Sequence, residues 1–166
     1  ERTLICDDTA YDKYAGGDKS ALSDAQKDGL ELFMGKAMCT ACHSPPFFSS
    51  AYIGKGTYFN VGIGTENVPE DQVDIGRMKV SSDEKDWAAF KVPSLRNVTK
   101  SAPYFHDGHA KELKDAVKCM ASGGHDNKNK TPLMMDKKLS DDELGSLVSF
   151  LGALECGGTL TPPKDD

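Results

Sequence analysis

Two thiols and an imidazole lie within five consecutive residues, Cys39-Thr40-Ala41-Cys42-His43. Thiols at this spacing can add to the two vinyl groups of one haem, and the adjacent histidine can then ligate the iron. A redox-active dithiol would need a βαβ setting, which this sequence lacks. A zinc site would need a second ligand pair, and Cys119, Cys156, His106 and His125 do not supply one at a suitable spacing. The motif therefore predicts one covalently attached haem c.

Three stretches with helical periodicity must position this motif. Residues 20–38 contain an N-cap at Ser23 and lead directly into the motif. Residues 109–121 form the second stretch, and the third begins at the capping box Ser140-Asp141-Asp142-Glu143. Residues 44–108 show little periodicity. A loop region of this length usually has a function, and here we expect it to wrap around the haem.

The composition indicates one domain in which side chains alone supply little apolar core. The chain has 166 residues, with 38% hydrophobic and 8% aromatic residues, and a large apolar cofactor would complement such a core. A net charge of −6 argues against nucleic-acid binding, which requires a basic surface. No segment approaches the roughly 18 consecutive apolar residues of a membrane helix. We therefore predict neither a nucleic-acid partner nor membrane insertion.

Several runs after position 40 carry a family resemblance. Beyond the Cys-x-x-Cys-His motif, they are Tyr58-Phe59-Asn60-Val61-Gly62, Asp74-Ile75-Gly76-Arg77, Phe90-Lys91-Val92-Pro93-Ser94-Leu95-Arg96-Asn97-Val98 and Ala102-Pro103-Tyr104-Phe105-His106-Asp107-Gly108. Together with the last helix, these runs resemble the C-terminal half of bacterial dihaem cytochrome c peroxidases and MauG enzymes. The resemblance implies a mainly α cytochrome c fold, with N- and C-terminal helices packed together and long loops around one haem c. The family's N-terminal half, which reacts with peroxide, has no match here, so we expect the fold and haem site without peroxidase activity.

The predicted organisation is an N-terminal extension at residues 1–21, a cytochrome c domain at residues 22–156 and a C-terminal tail at residues 157–166. The predicted function is single-electron transfer in the periplasm or another extracytoplasmic space, after removal of a signal peptide. Its partner would be another cytochrome, a cupredoxin or an oxidoreductase. Two alternatives stay open. One is a peroxidase-like enzyme whose second haem comes from a partner or whose Met ligand dissociates, and the other is a five-coordinate haem gas sensor.

A sixth iron ligand must come from elsewhere in the chain, and electron-transfer haems commonly use methionine. Met120 has a placement similar to the family's distal methionine, after the Ala-Pro-Tyr-Phe-His run and at the end of a helical stretch. Met134 and Met135 compete with it, because they lie in a loop before the last helix. Met34 and Met38 precede the motif and are interpreted as packing residues. The predicted iron ligands are thus His43 and Met120.

Four further residues are candidates for supporting the haem. Pro45 resembles the proline whose carbonyl holds the proximal histidine ring in cytochromes c, although it could also be an ordinary turn residue. Arg77 and Arg96 lie in family-like runs and could pair with haem propionates, or lie on the surface. His106 is interpreted as a hydrogen-bonding neighbour of the haem rather than an iron ligand.

Calcium is possible but is not predicted. The family places calcium between its two domains, partly through backbone oxygens of the run matching residues 101–103. Because no second domain is matched here, we do not expect the full site. The acidic segment 66–74 lacks the spacing of an EF-hand loop.

Three cysteines remain outside the haem motif. Haem c is attached outside the cytoplasm, where thiols tend to oxidise, so we expect one disulfide and one free thiol. Cys6 and Cys156 flank the family-like core, and the ends of a domain often lie close together. They are the predicted pair. Cys119 is then predicted to be a buried free thiol in a helix.

Overall fold

The computed structural model describes residues 6–52 and 57–157 and is mainly helical. Within these described residues, the strands are limited to one antiparallel pair, β1 (Tyr58–Phe59) and β2 (Phe90–Lys91), in which Tyr58 lies opposite Lys91. The α-helices, in chain order, are α1 (Ala10–Ala15), α2 (Asp24–Met34), α3 (Met78–Ser81), α4 (Leu113–Ala121) and α5 (Asp141–Gly152). In the part of the chain that the structure describes, no helix has the length and apolar character needed to cross a membrane.

The two longest helices begin at the capping residues that the sequence indicates. The Ser23 side chain accepts a hydrogen bond from the backbone N–H of Gln26 at the start of α2. The Ser140 side chain accepts one from Glu143 at the start of α5, and the Glu143 carboxylate accepts one from the Ser140 N–H in return. Each capping box satisfies two backbone groups that have no partner inside the helix.

Helix α4 begins later than the sequence pattern predicts. The pattern covers residues 109–121, whereas α4 begins at Leu113. The residues before it are extended, because Ala110 forms an isolated antiparallel bridge with Tyr104 and accepts a hydrogen bond from the Tyr104 N–H. This pairing takes Ala110 out of the helix and ties the preceding loop to α4.

Helix α1 lies in the segment predicted to be an extension outside the main domain. Thr9 and Asp12 form a capping box that begins it. The Tyr11 N–H donates to the carbonyl of Ala153, and the Tyr11 ring packs against the rings of Phe48 and Phe150. Residues 9–15 are therefore joined to the core of the domain. Residues 1–5 and 158–166 of the predicted extension and tail lie outside the described residues.

The core forms where α2 crosses α5. Gly29 is buried at the crossing, where a Cβ atom would lie 2.0 Å from the carbonyl oxygen of Ser146. Only glycine allows this close approach of the two helices. Phe33, Phe48 and Phe150 pack beside the crossing and are almost fully buried. The predicted packing of the N- and C-terminal helices is confirmed.

Loops and single turns make up most of residues 57–112, as the lack of periodicity predicts. Short 3₁₀ helices lie at Glu70–Gln72, Glu84–Asp86 and Val98–Lys100. The side chain of Asn60 is a buried junction for this region. Its amide nitrogen donates to the Trp87 carbonyl (3.0 Å) and its oxygen accepts from the Gly62 N–H (2.9 Å). Hydrogen bonds of this kind replace the regular pairing that the segment lacks.

The predicted disulfide between Cys6 and Cys156 is present. It joins the chain before α1 to the chain after α5 and so closes most of the sequence into one loop. Cys119 is a free cysteine, as predicted, but its side chain is only partly buried. The Cys119 sulfur lies 3.9 Å from Nε2 of His125.

Candidate functional site

A cavity of about 660 Å³ lies between the helices and the loop region, a size typical of cofactor sites. Side chains of α2, α4 and α5 form one part of its wall, and residues of β1, β2 and the following loops form the rest. The helical part is apolar and includes Phe33, Ala116, Val117, Leu147 and Leu151.

The cysteine motif lies on the wall of this cavity. Cys39–Ala41 form a 3₁₀ turn, and the His43 N–H donates to the Cys39 carbonyl at 2.8 Å. This tight turn lets Cys39, Cys42 and His43 face the same space. Burial raises the pKa of Cys39 to about 11, against an opposing effect of Lys137, and also raises the pKa of Cys42. The sulfur atoms of both cysteines therefore lie in an apolar part of the wall.

The imidazole of His43 is held by a backbone carbonyl. Its Nδ1 lies 3.0 Å from the carbonyl oxygen of Phe48, so Nδ1 carries the proton that is donated and Nε2 is the nitrogen left to bind a metal. Burial lowers the pKa of His43, which favours the neutral ring that a metal requires. The prediction that Pro45 supplies this carbonyl is wrong. The chain turns after Pro45, which brings the later Phe48 carbonyl to the ring.

Two methionines with suitable placement also line the cavity, Met120 from α4 and Met134 from the loop before α5. Met135 is not part of the cavity wall and is 55% exposed. Cys39, Cys42, His43 and Met120, which were singled out from the sequence, are thus brought to one space. Met134 remains the competing sulfur ligand.

Comparison with known proteins identifies the family. A model of the cytochrome c family matches residues 26–155. The chain belongs to the cytochrome c family. This cytochrome c is 36% identical over 169 residues to cytochrome c peroxidase Ccp of Escherichia coli K12. It is 32% identical over 157 residues to methylamine utilization protein MauG of Methylorubrum extorquens. The resemblance inferred from the sequence runs is confirmed.

This cytochrome c spans less than half the length of those relatives. The alignments cover 100% and 93% of this chain, but 32% of the Escherichia coli protein and 41% of the Methylorubrum protein. Among solved structures, a MauG-like protein associated with microbial copper homeostasis matches with a TM-score of 0.79 and 26% identity, over 95% of this chain and 54% of that one. The dihaem peroxidase BthA from Burkholderia thailandensis matches with a TM-score of 0.73 and 19% identity, over 95% and 48% of the two chains, and supports the fold alone.

A cytochrome c domain carries a covalent haem c, and this cavity fits that group. Cys39 and Cys42 place two sulfur atoms on its wall, and the Phe48 carbonyl orients the His43 ring through Nδ1. The apolar lining from α4 and α5 suits a porphyrin face. Cys39, Cys42 and His43 are the residues of this wall that would hold the haem.

Neither candidate arginine of the cytochrome lines the cavity. The guanidinium of Arg96 makes two hydrogen bonds to the carboxylate of Asp12, at 2.8 and 2.7 Å. Arg77 pairs with Asp86 at 3.1 Å and lies over the ring of Tyr58. Each guanidinium thus has a protein carboxylate as its partner, and the pairing of Arg77 and Arg96 with haem propionates stays a prediction.

His106 lies on the cavity wall, as expected for a neighbour of the haem. Its ring stacks on Phe90, with centroids 3.8 Å apart and planes 14° from parallel. Gly64 lies against this ring, and a Cβ atom there would be 3.0 Å from Nε2 of His106. Ring stacking and this close approach fix the position of His106.

Three carboxylates of the acidic segment considered for calcium pair with a histidine and two lysines. Glu66 lies 3.0 Å from Nδ1 of His125, and Asp74 lies 2.8 Å from the amine of Lys79. Glu70 pairs with Lys128. These carboxylates are held by partners on the protein.

Sequence reasoning missed two groups at the site. Phe48 supplies the carbonyl for His43, but nothing distinguishes it from its neighbour Phe47 in the sequence. Lys137, Met38 and Leu133 lie together at the cavity, where the Lys137 amine is 3.8 Å from the Met38 sulfur and 3.3 Å from the Leu133 carbonyl. Met38 and Leu133 are 46% and 40% exposed, so they mark the opening to solvent. Their sequence separation concealed this grouping.

Proposed function

We propose that this cytochrome c transfers single electrons through one haem c, whose iron His43 and Met120 would bind. The observation that carries the proposal is that Cys39, Cys42, His43 and Met120 lie on the wall of one cavity. When bound, the haem supplies an iron that is oxidised and reduced by one electron. Electron transfer between the haem edge and a docked partner protein needs no substrate pocket beyond the haem site.

The protein residues hold both oxidation states in one geometry. Cys39 and Cys42 anchor the group, and the Phe48 carbonyl keeps the His43 ring in one orientation and tautomer. The apolar side chains of α4 and α5 keep water away from the site. A low-polarity surround and a thioether ligand both favour ferrous iron, so we expect a positive, cytochrome-like potential.

Met120 is favoured over Met134 as the sulfur ligand because it is carried by a helix. Its helix α4 contacts the core through Leu113, Ala116 and Val117, which fixes the position of the sulfur. Met134 lies in a loop without helical or strand structure. A rigid support suits a ligand that must keep one geometry in both oxidation states.

We also infer an extracytoplasmic location, such as the periplasm, and a redox protein as partner. The covalent attachment motif and the Cys6–Cys156 disulfide support this location. The exposed apolar side chains of Met38 and Leu133 at the opening, beside the amine of Lys137, support docking of a partner there.

A second candidate is a role in peroxide reduction. Its support is that relatives of this chain carry peroxidase names, among them cytochrome c551 peroxidase of Nitrosomonas europaea and cytochrome c peroxidase Ccp of Escherichia coli. The chain covers 41% and 32% of these two proteins. In this case the haem held by His43 would pass electrons to a second haem, or Met120 would leave the iron and open it to peroxide.

Optical spectra of the haem-loaded protein distinguish these functions. For the electron carrier, we expect a near-infrared sulfur-to-iron band in the oxidised protein, no carbon monoxide binding in the reduced protein and no peroxide turnover. Peroxide turnover by the chain alone would favour the enzyme. Carbon monoxide binding by the wild-type protein would overturn His/Met ligation and favour a gas sensor.

Replacement of each methionine identifies the ligand. In Met120→Ala we expect loss of the near-infrared band and entry of carbon monoxide, with the haem still attached through Cys39 and Cys42. Met135→Ala is the matched control, because Met135 does not line the cavity. If Met120→Ala keeps the band and Met134→Ala loses it, Met134 is the ligand and Met120 is a packing residue.

A further inference from the structure

We propose that Asp12 and Tyr11 of α1 are positioning residues for His43, acting through Arg96 and Phe48. The proposal rests on the function above, in which His43 binds the iron. It assigns α1, which precedes the family-matched residues 26–155, a role in setting the redox properties of the site.

The first connection is the ion pair between Asp12 and Arg96. Two hydrogen bonds of 2.8 and 2.7 Å join the guanidinium to the carboxylate. The two side chains are only 21% and 13% exposed, so water screens the pair weakly. The same guanidinium donates through Nε to the carbonyl of Pro46 at 2.9 Å. Asp12 therefore holds Arg96 in the position from which it fixes the backbone of Pro46.

The second connection is a pair of side-chain contacts with the ring of Phe48. The ring of Tyr11 meets the Phe48 ring edge-on, with centroids 4.9 Å apart. The guanidinium of Arg96 lies 5.7 Å from the centre of the same ring. Phe48 is fully buried, and its carbonyl accepts the hydrogen bond from His43. Contacts from α1 and Arg96 thus hold the side chain of Phe48, the residue whose carbonyl orients the imidazole of His43.

Helix α1 is itself anchored, so it can act as a rigid support. The Tyr11 N–H donates to the Ala153 carbonyl at 3.1 Å. The Cys6–Cys156 disulfide ties the chain just before α1 to the chain just after α5. The Leu95 N–H also donates to the Phe48 carbonyl at 3.3 Å, which keeps this carbonyl within reach of two donors. The segment 46–48 is therefore held between α1 and the chain around Leu95.

This arrangement has a direct consequence for the potential. A hydrogen bond donated by Nδ1 makes the imidazole a stronger electron donor to its metal and so favours the oxidised state. Loosening α1 lets the Phe48 carbonyl move and weakens this bond. We therefore expect a weakened contact to shift the midpoint potential in the positive direction.

Spectroelectrochemistry on the full-length haem-loaded protein tests the inference. In Asp12→Asn we expect the ratio of oxidised to reduced protein at a fixed applied potential to fall roughly two- to fivefold, a smaller effect than removal of a direct outer-sphere partner. Asp12→Glu keeps the charge and should recover most of the wild-type ratio. Glu143→Gln is the matched control, because Glu143 forms an ion pair between elements, with Lys36, but does not contact segment 46–48.

A second pair of variants keeps the test valid if Asp12→Asn does not fold. Tyr11→Leu removes the ring contact with Phe48 and should shift the ratio in the same direction, whereas Tyr11→Phe keeps the ring and should not. An unchanged ratio in both Asp12→Asn and Tyr11→Leu, with haem bound, would overturn the inference. Failure of the proposed function would instead be visible in the wild-type protein, as carbon monoxide binding or the lack of a near-infrared band.

Discussion

The two parts of the cavity wall are stabilised by different forces. The helical part, formed by α2, α4 and α5, rests on apolar packing around the Gly29 crossing and the Phe33, Phe48 and Phe150 cluster. The loop part depends on individual hydrogen bonds, among them the buried ones of Asn60. The helical part is specified by a pattern of residue types, and the loop part by single side chains.

Because of this difference, the two parts of the wall should differ in how well they tolerate substitutions. Apolar packing is not directional, so many hydrophobic residues of similar volume can maintain a helix pair. A buried amide is directional, and its loss leaves backbone groups without partners. We therefore expect most substitutions in the helical part to be mild, except where two backbones touch, and substitutions at the polar junction of the loop part to be costly.

The largest effect is expected from Gly29→Ala, which breaks the helical part at its point of closest approach. The added Cβ would lie 2.0 Å from the Ser146 carbonyl oxygen, so the helices must separate and the haem-loaded protein should lose at least about 3 kcal/mol of unfolding free energy. Urea denaturation followed by circular dichroism measures this. Gly145→Ala on α5 is the control, since nothing lies within 4 Å of its Cβ position, and it should stabilise the protein by about 0.5–1 kcal/mol.

Asn60→Ala tests the loop part. Removing the amide leaves the Trp87 carbonyl and the Gly62 N–H without their partner, and we expect a loss of about 2–3 kcal/mol in the same urea measurement. Asn127 exchanges two hydrogen bonds with Asn60, so Asn127→Ala should be strongly non-additive with Asn60→Ala. If the two losses simply add, the amides do not act as one junction and the comparison fails.

The ion pair between Asp12 and Arg96 joins α1 to the loop that follows β2, and it should make stability depend on pH. The Arg96 guanidinium lowers the pKa of Asp12 from 3.8 to about 2. Because the pKa is lower in the folded protein, the contribution is complete above the ordinary value and is lost as pH falls through about 2. Between pH 6 and pH 2 the difference in unfolding free energy between wild type and Asp12→Asn should shrink by about 2 kcal/mol. A pH-independent difference would show that the pair contributes nothing through charge.

The smallest effect is expected from Ser140→Ala at the start of α5. It removes the capping oxygen from the Glu143 N–H, and we expect a loss of about 1 kcal/mol. Ser149→Ala, inside the same helix, should change the unfolding free energy by less than about 0.5 kcal/mol. A loss at Ser140 as large as that at Asn60 would mean that polar groups matter equally in both parts of the wall.

Short-range features of this protein follow from the sequence by itself. The Cys39–His43 motif, the caps at Ser23 and Ser140 and the helix that ends at Ala121 depend on residues close together in the chain. Local spacing and hydrogen bonding are sufficient to specify them. The Cys6–Cys156 disulfide was also predictable from the sequence, because only three cysteines lie outside the haem motif and the ends of a domain often lie close together.

The tertiary structure alone decided which groups meet around His43. Pro45, Arg77 and Arg96 were each assigned to the haem from sequence, yet Phe48 supplies the carbonyl and both arginines pair with carboxylates. Asp12 and Arg96 are far apart in sequence but form a bidentate ion pair, and no local pattern specifies such a contact. Directional bonds between distant segments depend on how the loops fold over the core, whereas residue types and periodicity indicate only the structure formed by neighbours along the chain.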